Sequence, residues 1–215
     1  MWLIGLMGSV LVGYMLGSIP SGYLAGRLRG VDLRREGSGN VGATNAVRVL
    51  GRGVGIVVFV ADFLKGIFAV WLASMVGALI AKDAGMIFGM AGGVSAVLGH
   101  VYPVWLSFAG GKGIATSGAV IVALYPWQVF VTGFVVWVVL FFATRYVSVA
   151  SLGAAVSLPI VSGLMAWLGL CDVVLVAAGI FLAGLAIWKH RSNIERLLAG
   201  TENRFVRRGA SSERS

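Results

Sequence analysis

The sequence predicts an all-α, polytopic integral membrane protein. It should have about seven transmembrane helices, one or two of them short or broken, with the N-terminus outside and the C-terminus inside. Three observations carry this. First, 59% of the 215 residues are hydrophobic and only 12% are charged, against about 25% charged in an average soluble domain. A water-soluble fold of this length cannot hide so much apolar surface. Second, the apolar residues fall in runs long enough to span a bilayer, about 20 residues each. Third, the charges are one-sided, with 17 Lys and Arg against 8 Asp and Glu, and the basic residues gather between alternate runs, as the positive-inside rule requires. A soluble enzyme, a DNA-binding domain and a disordered chain are excluded. The basic excess has a membrane explanation and implies no nucleic-acid partner.

Residues 1–26 hold no Lys or Arg. They lack the basic start of a signal peptide and read as the first span, with the basic residues behind it. Arg27 to Arg52 carries six arginines against Asp32 and Glu36 and reads as cytoplasmic. The next apolar run extends from about Val54 to Ile80, broken by Asp62 and Lys65. That i,i+3 pair is either a structural ion pair or, because ionisable groups at membrane depth are costly, a functional one. Lys82-Asp83 reads as an external turn. The run from Met86 returns to the cytoplasm near His100 to Phe108, and the Gly110-Gly111-Lys112-Gly113 loop follows. His100 reads as a hydrogen-bonding residue at a helix end.

Residues 114–143 are too few for two full spans. Pro126 breaks the ladder of helix hydrogen bonds, and Arg145 belongs inside. Together they predict a short helix, a turn at Tyr125-Pro126 and a second helix. One span here, and five in all, is the simpler alternative. The run from Ser148 to Leu170 leads out to Cys171-Asp172, and Val173 to Trp188 leads back to a basic tail. One transmembrane domain covers residues 1–208, with 209–215 a flexible tail. The lone Cys171 and the two histidines leave no basis for a metal site, and no metal or cofactor is expected.

Three polar islands fall on one side of this scheme. The first is Gly37-Ser38-Gly39-Asn40-Val41-Gly42-Ala43-Thr44-Asn45, with Arg48 beyond it. Small residues free backbone N–H groups to point at a ligand, and on a helix Arg48 shares a face with Thr44 and Asn45. A backbone nest, a helix N-terminus and a guanidinium capture anions. A tight turn with a helix cap is the plainer alternative. Gly37-x-Gly39-x-x-Gly42 mimics a dinucleotide fingerprint, but that motif needs a preceding strand and a βαβ unit. The second island runs from Gly99 to Thr116 around Gly111, Lys112 and Gly113. It is not a Walker A loop, yet a lysine between glycines can serve a phosphate as a point charge. The third is His190 to Gly200, where His190 and Asn193 are i,i+3. His190 is the candidate acid or base, its ordinary pKa being near neutrality (~6.5). Ser148 and Ser151 form a smaller feature, either helix-start residues or part of the same inner cavity.

The phrases GSGNVGATN, GHVYPVWLSFAGGKGIAT and HRSNIERLLAG, in this order, resemble the three cytoplasmic motifs of the bacterial acyl-phosphate:glycerol-3-phosphate acyltransferases, the PlsY family. GVDLR, ADFLKG and RYVSVAS fit as well, and the resemblance extends from Gly17 to about Phe205. It implies transfer of an acyl group from fatty acyl phosphate to the sn-1 hydroxyl of glycerol 3-phosphate, giving lysophosphatidic acid and phosphate. This is the first step of phospholipid biosynthesis, and it has no requirement for acyl-CoA. It implies a multi-pass protein of the bacterial inner membrane with its active site on the cytoplasmic side. The partners implied are the two substrates, the lipid bilayer, and the enzymes that make acyl phosphate and acylate the product. Carried over by position, Ser38, Gly39, Asn40 and Thr44 would cradle the phosphate of the acyl phosphate. Arg48, Lys112, Ser151, His190 and Asn193 would hold glycerol 3-phosphate. Asn45, Gly111, Gly113 and Ser148 adjoin them, and Ser38, Lys112 and His190 form the expected catalytic set.

Elementary chemistry agrees. Acyl phosphate is already activated, so the protein need only orient the hydroxyl, stabilise an oxyanion and neutralise the departing phosphate. Direct attack without an acyl-enzyme follows, with His190 or a substrate phosphate as base. The competing class is a transporter of phosphate or an organophosphate, which would need its site near the membrane midplane.

Overall fold

The computed structural model describes residues 1–81 and 84–205. Among them there is no strand, and the chain is helical almost throughout. The expected external turn at Lys82-Asp83 and the expected tail at 209–215 lie outside the described residues.

Helix α1 (Trp2–Ser18) and α2 (Ser21–Arg27) form one apolar rod broken at Ile19-Pro20. Pro20 has no N–H to continue the ladder, and the break was not anticipated from the sequence. A loop leads to α3 (Ala43–Leu50), then to α4 (Arg52–Ile80), α5 (Gly85–Val101) and a 3-10 turn at Val104–Leu106. Helix α6 (Ile114–Leu124) ends at the anticipated Tyr125-Pro126 break, and α7 (Trp127–Thr144) begins after it. Helices α8 (Val147–Trp167), α9 (Val173–Lys189) and α10 (Arg191–Leu198) complete the helices of the described residues, α10 bending 54° away from α9.

Among the described residues five segments are long and apolar enough to cross a bilayer: α1–α2, α4, α5, α7 and α8. The bent α9–α10 pair makes a sixth candidate. The 11 residues of α6 reach only about 16 Å, roughly half of a ~30 Å hydrocarbon core. These helices are apolar on all sides, and side chains such as Trp71, Phe134 and Trp167 remain exposed, as a lipid-facing surface allows. By contrast α3 and α10 are short and amphipathic.

Helices α1, α4 and α5 pack into one group, while α7, α8 and α9 form a second. Lipid offers no hydrophobic drive between helices, so close approach of backbones must hold the first group together. Gly13 and Gly17 of α1 lie directly on the carbonyls of Gly92 and Ala96 of α5, leaving no room for a side chain. The short α6 contacts both groups. Val97, Val120, Val129, Leu158 and Leu182 meet in the core between them. The broken end of α6 is anchored there by Tyr125, whose hydroxyl donates to the Leu175 carbonyl at 2.7 Å. Alternating passes bring the ends of α2, α5, α7 and α9 and the starts of α4, α6 and α8 to one end of the bundle. Met1 lies at the other.

Candidate active site

All three polar islands converge at that end on one cavity of about 180 Å³. Its first wall is the glycine loop. Asn45 is 1% exposed and organises this loop from inside. Its amide donates to the carbonyls of Leu33 (3.2 Å), Glu36 (3.0 Å) and Asn40 (2.8 Å), and its Oδ1 accepts from the Ser38 N–H at 2.9 Å. Asn40 in turn accepts from the Gly42 N–H at 2.8 Å. Held in this way, the loop presents Ser38, Ala43 and Thr44 to the cavity. Helix α3 begins there with no side-chain cap; the Asn45 and Ala46 N–H groups donate to the Gly42 carbonyl, and those of Ala43 and Thr44 are left for an anion. Arg48 follows one turn later, its guanidinium 5.8 Å from the ring of Phe205. Partial burial moves its pKa down.

Lys112 forms the facing wall. Gly113 takes a left-handed backbone (φ 82°) that a side chain would strain, and this turns the loop so that Lys112 reaches the cavity. The ammonium donates to Asn193 Oδ1. Asn193 Nδ2 donates to Glu202 Oε1 at 2.7 Å, and Arg196 Nε to Glu202 Oε2 at 2.8 Å. The carboxylate thus fixes which way the Asn193 amide points. Burial pushes the Lys112 pKa down to about 8; the charge of Glu202 opposes this, while Arg196 and Arg48 reinforce it.

His190 sits one residue beyond α9 and is 2% exposed. Its Nδ1 faces the Ala186 carbonyl at 2.7 Å. A carbonyl only accepts, so Nδ1 carries the hydrogen and Nε2 keeps its lone pair. Burial, and then the nearby Lys112, push its pKa down to about 4. The ring is therefore neutral at pH 7 and able to accept a proton. Ser148 and Ser151 are buried on the cavity wall, and Ser151 Oγ accepts from the Trp137 indole at 3.4 Å.

Of the residues singled out in the sequence, Ser38, Asn40, Thr44, Asn45, Arg48, Lys112, Gly113, Ser148, Ser151, His190 and Asn193 line this cavity, and Asp62 and His100 reach its wall as well. Gly39 and Gly111 do not. Gly39 carries the turn of the loop with φ 71°, and Gly111 packs against the His100 imidazole. Asn45 lines the cavity, but its hydrogen-bonding groups are committed to the loop. Sequence reasoning missed Arg196, Glu202 and Phe205. The available signal was Glu202 itself, an acid within a strongly basic segment. It also missed that His100 would join Asp62 and Lys65, which takes the packing of α5 on α4.

A second space of about 460 Å³ opens off the cavity between α4, α6, α7, α8 and α9. The two share Phe59, Ile114, Ala115, Trp137 and Ser151. Its walls include Phe63, Phe130, Phe134, Leu158 and Leu182, and it is almost wholly apolar. A cationic cavity that shares a wall with an apolar groove, in a bundle of apolar helices, defines the class: an integral membrane protein whose site offers an anion pocket beside a space for an apolar chain.

Comparison with known proteins identifies the family. The family model described as "Glycerol-3-phosphate acyltransferase" matches residues 7–200. The glycerol-3-phosphate acyltransferase of Gloeobacter violaceus is 44% identical over 190 residues, 88% of this chain and 89% of the relative. That of Aquifex aeolicus is 43% identical over 202 residues, 91% and 97% of the two chains. The crystal structure of PlsY (YgiH), an integral membrane glycerol 3-phosphate acyltransferase, in its glycerol 3-phosphate form superposes with a TM-score of 0.81. It is 40% identical and covers 94% of this chain and 96% of its own. The lysophosphatidic acid form gives 0.79 at 38% identity, covering 94% and 95%. The chain belongs to the PlsY family of glycerol-3-phosphate acyltransferases.

Proposed function

We propose that this protein transfers the acyl group of a fatty acyl phosphate to the sn-1 hydroxyl of glycerol 3-phosphate at the cytoplasmic face of the bacterial inner membrane. Lysophosphatidic acid and inorganic phosphate leave, as the first step of phospholipid biosynthesis. The observation that carries this is the continuity of the cationic cavity with the apolar groove. One substrate is a phosphate with a lipid tail and the other is a soluble phosphate. The arginine-rich segments at the cavity end support the cytoplasmic orientation.

In this reading the acyl chain lies in the groove, and its phosphate sits on the glycine loop under Ser38, Thr44 and the first turn of α3. Glycerol 3-phosphate enters from water, its phosphate held by Arg48 and Lys112 and its hydroxyls by Ser151 and Asn193. The hydroxyl oxygen attacks the acyl carbonyl carbon and the carbon–oxygen bond to phosphate breaks. The hydroxyl proton passes to His190 Nε2 or to a phosphate oxygen. Backbone N–H groups of the glycine loop stabilise the oxyanion. No nucleophilic side chain is needed, because phosphate is already a good leaving group.

The test is purified protein in detergent with labelled glycerol 3-phosphate and either palmitoyl phosphate or palmitoyl-CoA. Lysophosphatidic acid should form with the phosphate donor alone. Turnover with the thioester, or no product but flux of label into liposomes, would overturn the reading. His190→Gln should lower kcat by about 10²–10⁴ if His190 is the base; a near-normal kcat assigns that part to a substrate phosphate. A covalent acyl-enzyme seen by mass spectrometry would exclude direct attack.

A further inference from the structure

Asp62, Lys65 and His100 take no part in the chemistry above, although Asp62 and His100 reach the wall of the same cavity, and they are 2%, 7% and 8% exposed within the helical bundle. Lys65 Nζ lies 2.8 Å from Asp62 Oδ1, and His100 Nδ1 lies 3.4 Å from the same oxygen. Burying charges is costly, and ionisable groups inside a membrane protein commonly serve its function.

Each arm of the cluster ends on a support of the active site. Lys65 Nζ donates to the Ile19 carbonyl at 3.0 Å, at the break opened by Pro20. Just beyond that break, Gly22 of α2 packs directly on the Val41 carbonyl of the glycine loop. On the other side, the Gly111 N–H donates to the His100 carbonyl at 3.0 Å, and the Gly110 N–H to the Val101 carbonyl at 3.2 Å. The His100 imidazole fills the space that a side chain at Gly111 would need, and Lys112 is the next residue. Thr116 Oγ1 donates to the Asp62 carbonyl at 3.0 Å, fixing the first turn of α6. The cluster therefore stands between the two loops that face phosphate and touches what holds each of them.

Apolar side chains of the same volume would hold α4 to α5 equally well. They would supply neither the directed bond to Ile19 nor the polar brace on a flat imidazole against Gly111. We propose that Asp62, Lys65 and His100 form a positioning unit that fixes the Lys112 loop relative to the glycine loop, with His100 acting on Lys112 through Gly111. This rests on the proposed reaction only for what Lys112 does; the bracing itself belongs to the chain.

The test uses full-length protein carrying His100→Ala, Gly111→Ala, or both. Either single change should lower kcat/KM for glycerol 3-phosphate by about 10–100-fold, the size of effect a 1 Å misplacement produces. The loss should lie mainly in KM for glycerol 3-phosphate, with KM for palmitoyl phosphate unchanged. The double variant should lose no more than His100→Ala alone, because the new methyl at 111 then meets no ring. In parallel, reductive methylation read by mass spectrometry should show Lys112 reacting severalfold faster in both single variants. The N-terminal amine of Met1, at the far end of the bundle, is the reference, and Tm should be preserved. Wild-type values for kcat/KM and Lys112 reactivity in His100→Ala would overturn the proposal. So would losses that multiply in the double variant, or a fall in Tm with all amines exposed alike, which marks His100 as core packing. A wild-type protein that makes no lysophosphatidic acid would overturn the proposed reaction, and the Lys112 labelling ratio would still decide on the brace.

Discussion

Two groups of buried or half-buried charge lie close together in this molecule, and they are balanced differently. In the first, Asp62 lies 2.8 Å from Lys65 and 3.4 Å from His100, so its charge is paired within the group. In the second, Arg48, Lys112 and Arg196 face a common cavity; Asp62 also reaches its wall but is paired with Lys65, which leaves Glu202 as the carboxylate drawn in among them. That carboxylate is already held by Asn193 and Arg196. The first group is charge-paired without a ligand. The second is short of negative charge, and two phosphates would supply it. On the proposed reaction, a deficit of counter-charge, rather than the presence of charge, would mark the substrate site.

The sharpest way to break this comparison is to remove one member from each group. Asp62→Ala leaves Lys65 buried without its partner, which typically costs about 3–5 kcal/mol; the expected result is a large drop in Tm or failure to purify as folded protein. Lys112→Ala removes a cation from a group that has too many. Its Tm should hold or rise, while kcat/KM for glycerol 3-phosphate falls by the equivalent of about 2–5 kcal/mol. If Lys112→Ala proves the less stable protein, or loses under threefold in activity, the two groups do not differ as described.

Varying pH sharpens the contrast without mutation. Lys112 has its pKa pushed down to about 8 from an ordinary 10.5, chiefly by burial. Below that value the ammonium is charged and attracts phosphate; above it the amine is neutral. In the free enzyme, kcat/KM for glycerol 3-phosphate should therefore fall as pH rises through about 8. Stability should move the other way. Between about 8 and 10.5 the unfolded chain binds a proton at Lys112 that the folded chain does not, so this residue makes stability rise with pH over that window. In Lys112→Met both trends should vanish, as read from a pH–rate profile and from Tm against pH.

The same contrast shows which features the sequence makes legible. Lys112 between glycines, Arg48 one turn beyond Thr44, and the His190–Asn193 pair could be read because each is a local pattern in a chain with few charges. The break at Tyr125-Pro126 could be read because proline and Arg145 point the same way. The break at Ile19-Pro20 could not, because the apolar run continues across it. Asn45 looked like a ligand because sequence does not say which way an amide faces; in the fold it is an internal organiser of the loop. His100 and Asp62 are far apart in the chain, and only the close approach of α5 to α4 brings them together.

The smallest expected effect concerns the groove, where no charge enters. Along α7 it extends from Trp137 to Val129, eight residues or about 12 Å. Gly133 lies midway, and a Cβ there would have only Ser157 Oγ nearby, at 3.7 Å. Leucine at this position fits the helix and fills the groove instead of displacing a neighbour. A long acyl chain then loses the contacts beyond the obstruction, whereas a short one ends before reaching it. Each methylene returned from the groove to a less favourable place is worth up to about 0.8 kcal/mol, near fourfold. Loss of two should shift the kcat/KM ratio of butanoyl to palmitoyl phosphate by about tenfold in favour of the shorter donor. KM for glycerol 3-phosphate should stay where it was, because Arg48 and Lys112 are untouched. An equal loss for both donors would mean that the chain does not run along α7, and that the polar cavity and the apolar groove are not one site.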